Sequence, residues 1–156
     1  MEKHDLIVYH ARNANCQAYL LLGKIMDRLG LRKRELLAEL AELGHLINDD
    51  TFTNWGRPGR SFPRDWVLIR DLLSLISKSE QKERCTAYEA LKFCALVQLP
   101  FTELSGIAAL FPTDEFVSAL AQYLSSELVL GISKFQKEYY VDMNLHVHSN
   151  NQRLSK

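Results

Sequence analysis

The sequence predicts a mainly α-helical protein that closes on one short β-strand. Three observations carry that reading. Apolar residues recur at steps of three and four along most of the chain, the mark of amphipathic helices. Glycines and prolines fall where those runs stop. Only residues 139–148 change to a period of two, the signature of a half-buried strand. At 156 residues, 47% hydrophobic and 24% charged, the chain has the size and composition of one globular domain rather than of a disordered one.

The elements follow in order. Ala18, Leu21, Leu22, Ile25, Met26 and Leu29 form one helical stripe, which Gly30 ends. Leu36, Leu40 and Leu43 repeat the pattern up to Gly44. A short segment, Asp50–Trp55, leads into Gly56-Arg57-Pro58-Gly59-Arg60, a turn by composition. Pro63 and Asp65 suit the first turn of a helix that buries Trp66, Ile69, Leu72, Leu73 and Ile76. Residues 77–85 are polar, without apolar period, and read as a linker with Cys85 exposed in it.

Thr86 and Glu89 then make a T-x-x-E capping box. The helix it starts carries Ala90, Leu91, Cys94 and Val97 and stops before Pro100. Thr102 is placed to cap a short helix to Leu110. Asp114 and Glu115 suit the start of a last helix with Phe116, Leu120, Tyr123, Leu124 and Leu128 as its stripe, ending or bending at Gly131. Beyond it, Val141, Met143, Leu145 and Val147 share one strand face. A lone strand needs an edge, so this segment is expected to pair with Leu6–Tyr9 or with a second copy of the chain. The division expected is 1–77, 86–136 and 137–156.

Charge and motifs narrow the function. Nineteen Lys and Arg meet nineteen Asp and Glu, which excludes a strongly basic coat but not a local basic patch. Residues 1–78 hold 12 basic and 10 acidic side chains, and residues 79–156 hold 7 and 9. No apolar run approaches the roughly 18–20 residues of a membrane span. The charged start and the short Leu6–Tyr9 run do not make a signal-peptide core. Three cysteines without a CxxC pair fit reduced thiols, so a cytoplasmic location is expected. No phosphate loop, G-x-G-x-x-G or G-x-S-x-G occurs. His146-x-His148 lacks a third ligand. Carboxylate pairs sit at helix starts, where capping explains them. No catalysis, metal or cofactor is expected.

The informative stretch is Leu29 to Pro63. Gly30-Leu31-Arg32-Lys33-Arg34-Glu35-Leu36, followed by Thr51-Phe52-Thr53-Asn54-Trp55 and an Arg/Gly/Pro turn, resembles the phage-repressor (Xre-like) helix-turn-helix family over residues 18–77. The resemblance implies that Phe52 and Trp55 pack inward while Thr51, Thr53 and Asn54 point out toward base edges of double-stranded DNA. It implies that Arg32, Lys33 and Arg34 at the start of helix 2, with Arg57, Arg60 and Arg64 beyond the recognition segment, hold phosphates. A homodimer is the expected assembly. Gly56 stands where that family mostly has Glu, and Asp49-Asp50 puts two carboxylates at the start of the recognition segment.

Thr86-Ala87-Tyr88-Glu89-Ala90-Leu91, Leu99-Pro100-Phe101-Thr102-Glu103-Leu104 and Ala109-Leu110-Phe111-Pro112 loosely resemble the helical module that follows a divergent helix-turn-helix in large bacterial signalling ATPases. Two functions therefore stand open. One is a bacterial DNA-binding transcriptional regulator. The other is a non-enzymatic adaptor that turns a helix-turn-helix scaffold to protein contacts.

Overall fold

The computed structural model describes residues 14–125. Seven α-helices make up most of this span: α1 (Ala14–Leu29), α2 (Lys33–Glu42), α3 (Asp49–Asn54), α4 (Trp66–Ile76), α5 (Ala87–Leu96), α6 (Leu104–Ala108) and α7 (Thr113–Ser125). A 3-10 turn, Phe101–Glu103, leads into α6. The alternating segment 139–148, its proposed partner Leu6–Tyr9, Leu128, Gly131 and the His146–His148 pair all lie outside the described residues.

Local sequence sets the ends of these helices. Gly30, at φ +67°, closes α1. Its N–H donates to Asp27 and that of Leu31 to Met26, the paired bonds of a left-handed helix stop. Gly44, at φ +95°, closes α2 in the same way, with bonds to Ala41 and, from His45, to Leu40. Thr86 and Glu89 form the expected reciprocal cap of α5: the Glu89 N–H donates to the Thr86 hydroxyl at 3.2 Å, and the Thr86 N–H donates to the Glu89 carboxylate at 3.1 Å. Asp65 caps α4 by accepting from the Leu68 N–H at 3.2 Å. The residue in the first turn is therefore Trp66, and it is half-buried rather than buried. Leu68 takes the core position instead.

One continuous apolar cluster runs from Ala18 to Tyr123. Helix α1 packs on α4 and α5, α2 packs on α4, α4 meets α6, and α5 lies against α7. Leu36, Leu40, Ile69, Leu72, Leu73, Leu91 and Leu120 are inaccessible to water, each stabilising the fold by roughly 1.5–3 kcal/mol relative to exposure. No described helix is long and apolar enough to cross a membrane.

Residues 77–85 join the two halves tightly. The Cys85 N–H donates to the Ile76 carbonyl at 2.7 Å, and Cys85 is fully buried. This corrects the expected exposed thiol: the connection folds its last residue back onto the end of α4. Arg28 of α1 holds the same connection, donating to the Glu83 and Arg84 carbonyls at 3.0 Å each. It also grips Glu89 with two bonds of 2.9 and 2.7 Å. Arg84 reaches Glu115 of α7 at 3.0 Å. Thr102 does not cap a helix. It lies exposed within the 3-10 turn, because the Pro100 carbonyl takes the Glu103 N–H at 2.9 Å and closes the turn one step earlier.

Candidate nucleic-acid interface

Six residues do not hold a helix in water by themselves, so α3 depends on its surroundings. Asn48 starts it, its side chain accepting from the Thr51 N–H at 2.8 Å. Phe52 and Trp55 turn inward, 3% and 5% exposed. Their rings lie 5.2 Å apart, between Tyr19 at 5.5 Å and Phe62 at 5.3 Å. The buried Asn15 amide of α1 donates to the carbonyls of Trp55 at 3.0 Å and Arg57 at 2.7 Å. These bonds fix the exit from α3 and the start of the arginine turn.

Gly56 also has a physical cause. A Cβ there would lie 2.4 Å from Cγ of Tyr19. The Tyr19 ring occupies the space that a side chain at position 56 would need.

The outward residues divide into two groups. Thr51 is exposed and Asn54 half-buried. With Trp55, Gly59, Arg60 and Ser61 they line a concavity of about 430 Å³. Arg60 also borders a smaller cleft of about 160 Å³, together with Arg64, Ser61 and Gln98. Arg57, Arg60 and Arg64 are all exposed. Among the described residues no carboxylate lies within ion-pair distance of these three guanidinium groups.

The second group is at the start of α2. Arg32 and Arg34 are exposed, and Arg32 has Glu35 at 3.9 Å. Lys33 differs. Its ammonium lies 2.8 Å from the Asp49 carboxylate and donates to the Thr53 hydroxyl at 3.2 Å. Bonding to Asp49, opposed in part by desolvation, holds the Lys33 ammonium above its usual pKa. Thr53 in turn donates to the Asp49 carbonyl at 3.0 Å and is half-buried. Lys33, Asp49 and Thr53 thus form a latch between α2 and α3, in which the Thr53 hydroxyl is engaged.

The structure thus brings Thr51, Asn54 and Arg60 onto one concave surface and leaves Arg57 and Arg64 beside it. Asn15, Tyr19 and Phe62 position this surface and were not singled out by the sequence. Phe62 sits between Ser61 and Pro63 in an aperiodic turn, and Asn15 is a polar residue whose partners lie 40 and 42 residues away. No family model, curated protein or solved structure matches the chain.

Proposed function

We propose that this chain is a helix-turn-helix regulator that binds double-stranded DNA through α3 and the turn after it. The observation that carries the reading is the exposed set Arg57, Arg60 and Arg64, with no carboxylate at ion-pair distance among the described residues, beside the concavity of Thr51 and Asn54. Unpaired exposed arginines suit phosphate contacts, and an Asn side chain suits a bidentate bond to adenine. Arg32 and Arg34 extend the positive surface to the start of α2. Lys33 is taken up by Asp49 and adds little free charge.

The test is an electrophoretic shift on duplex DNA at low salt, followed across a salt series. Arg57→Gln and Arg60→Gln each weaken binding on every sequence and flatten the logarithmic salt slope by about one unit. Asn54→Ala relaxes discrimination between sequences instead. Binding indifferent to all three changes would refute the surface assignment. A second reading, the protein-contact adaptor, is favoured by the latch itself, because Asp49 and Asp50 set carboxylates where phosphate would approach. Asp49→Asn strengthens duplex binding under the first reading. A chain that binds no duplex at low salt, with or without that change, belongs to the second.

A further inference from the structure

A second concavity, of about 580 Å³, lies between α1 and the α2–α3 pair and shares no arginine with the DNA-facing turn. Its size is that of a small-molecule site. Leu22, Met26 and Phe52 form its apolar floor, each less than a tenth exposed. Gly23 makes its wall. A glycine inside a helix costs about 1 kcal/mol relative to alanine, and close packing is the usual cause. Here no atom lies within 4 Å of the place a Cβ would take. Packing within the described fold therefore does not require the glycine, and the missing side chain leaves the concavity open.

The mouth is polar and unevenly charged. Arg32 and Lys33 stand on it against one carboxylate, Asp27. Lys33 is engaged by Asp49, but the Arg32 side chain is 76% exposed and, among the described residues, has only Glu35 at 3.9 Å for an ion pair. We propose that this concavity binds a small amphipathic anion, its apolar body on Leu22, Met26 and Phe52 and its carboxylate or sulfonate at Arg32. A cationic head would meet the exposed Arg32 guanidinium as a like charge. Burial of the body provides the affinity, and the guanidinium selects the sign of the head.

Two dyes of similar apolar body test this on the full chain: the anionic 1-anilinonaphthalene-8-sulfonate and the neutral N-phenyl-1-naphthylamine. The anionic dye binds saturably. Gly23→Leu fills the concavity from a position with open space and weakens both dyes by about tenfold or more, which corresponds to at least one 1.4 kcal/mol step. Arg32→Gln weakens the anionic dye about two- to fivefold, as loss of an exposed charge pair does, and leaves the neutral dye unchanged. Leu46, 88% exposed and outside the lining, is the control, and Leu46→Ser leaves both dyes unchanged. Wild-type dye binding in Gly23→Leu overturns the site, and so does loss of binding in Leu46→Ser. An Arg32→Gln chain that holds the anionic dye as tightly as wild type overturns the anion. That comparison stands even if Gly23→Leu loses its helical circular dichroism, because the Arg32 side chain lies outside the core. Duplex binding is read separately, so either proposal fails without the other.

Discussion

At Gln98 the backbone takes φ +59°, the one left-handed non-glycine position among the described residues. It closes α5 as Gly30 and Gly44 close α1 and α2: the Gln98 N–H donates to Ala95 and that of Leu99 to Cys94. A side chain there costs roughly 1–2 kcal/mol that a glycine does not. Gln98→Gly is therefore expected to stabilise the chain by about 1 kcal/mol after the extra freedom of glycine in the unfolded state is subtracted. Urea unfolding checks it, as a higher midpoint at unchanged slope. The thiols make a second case at this scale. Burial pushes the Cys85 thiol up to about 12 and the Cys94 thiol up as well, while Cys16 is half-buried. A disulfide reagent at pH 8 is expected to take no more than one fast equivalent from the native chain and three in denaturant. Two fast equivalents would place Cys85 or Cys94 within reach of the reagent, against their burial.

Helix boundaries were legible in the sequence because their causes are local: a glycine, a Thr-x-x-Glu, an Asp before a run of apolar residues. What α3 rests on was not, because it comes from Asn15, Tyr19 and Lys33, far away in sequence. The joint of α1 with α5 shows the same division. Glu89 is recognisable as a capping residue, but its bond to Arg28 is visible only in three dimensions. Burial would raise the Glu89 carboxyl, yet the Arg28 bonds and the Thr86 N–H overcome this and hold it below the usual carboxylate value of 4.5. A carboxyl whose pKa is lower in the folded chain contributes its stability in full above that value. The contribution is lost as the pH falls through the folded value. Glu89→Gln is therefore expected to be less stable than wild type at pH 7 and to lose less stability between pH 5 and pH 3. Parallel curves over that range would show that the Arg28 pair does not govern acid unfolding.

Across the whole molecule the rings of Tyr19, Phe52, Trp55, Phe62 and Phe93 follow one another at centroid distances of 5.2–5.5 Å. They carry one packed path from α1 through α3 and the arginine turn to α5. The same turn presents Arg57 and Arg60, so the proposed DNA surface is held by contacts that also join the two halves. The polar residues 77–85 read as a break between those halves, and the partners of Arg28, Arg84, Cys85 and Phe62 show that the break is bridged. Removing the middle ring tests this coupling. Trp55→Ala should cost roughly 3–5 kcal/mol, as large aromatic truncations do in cores. It leaves Trp66, on α4, as the single tryptophan, while α5 and α7 contribute much of the helical signal. If the core is one cooperative unit, far-ultraviolet circular dichroism and Trp66 fluorescence give the same urea midpoint in this variant, shifted well below that of wild type. A helical plateau that persists after Trp66 has lost its environment would show instead that α5 and α7 fold without the half formed by α1 to α4.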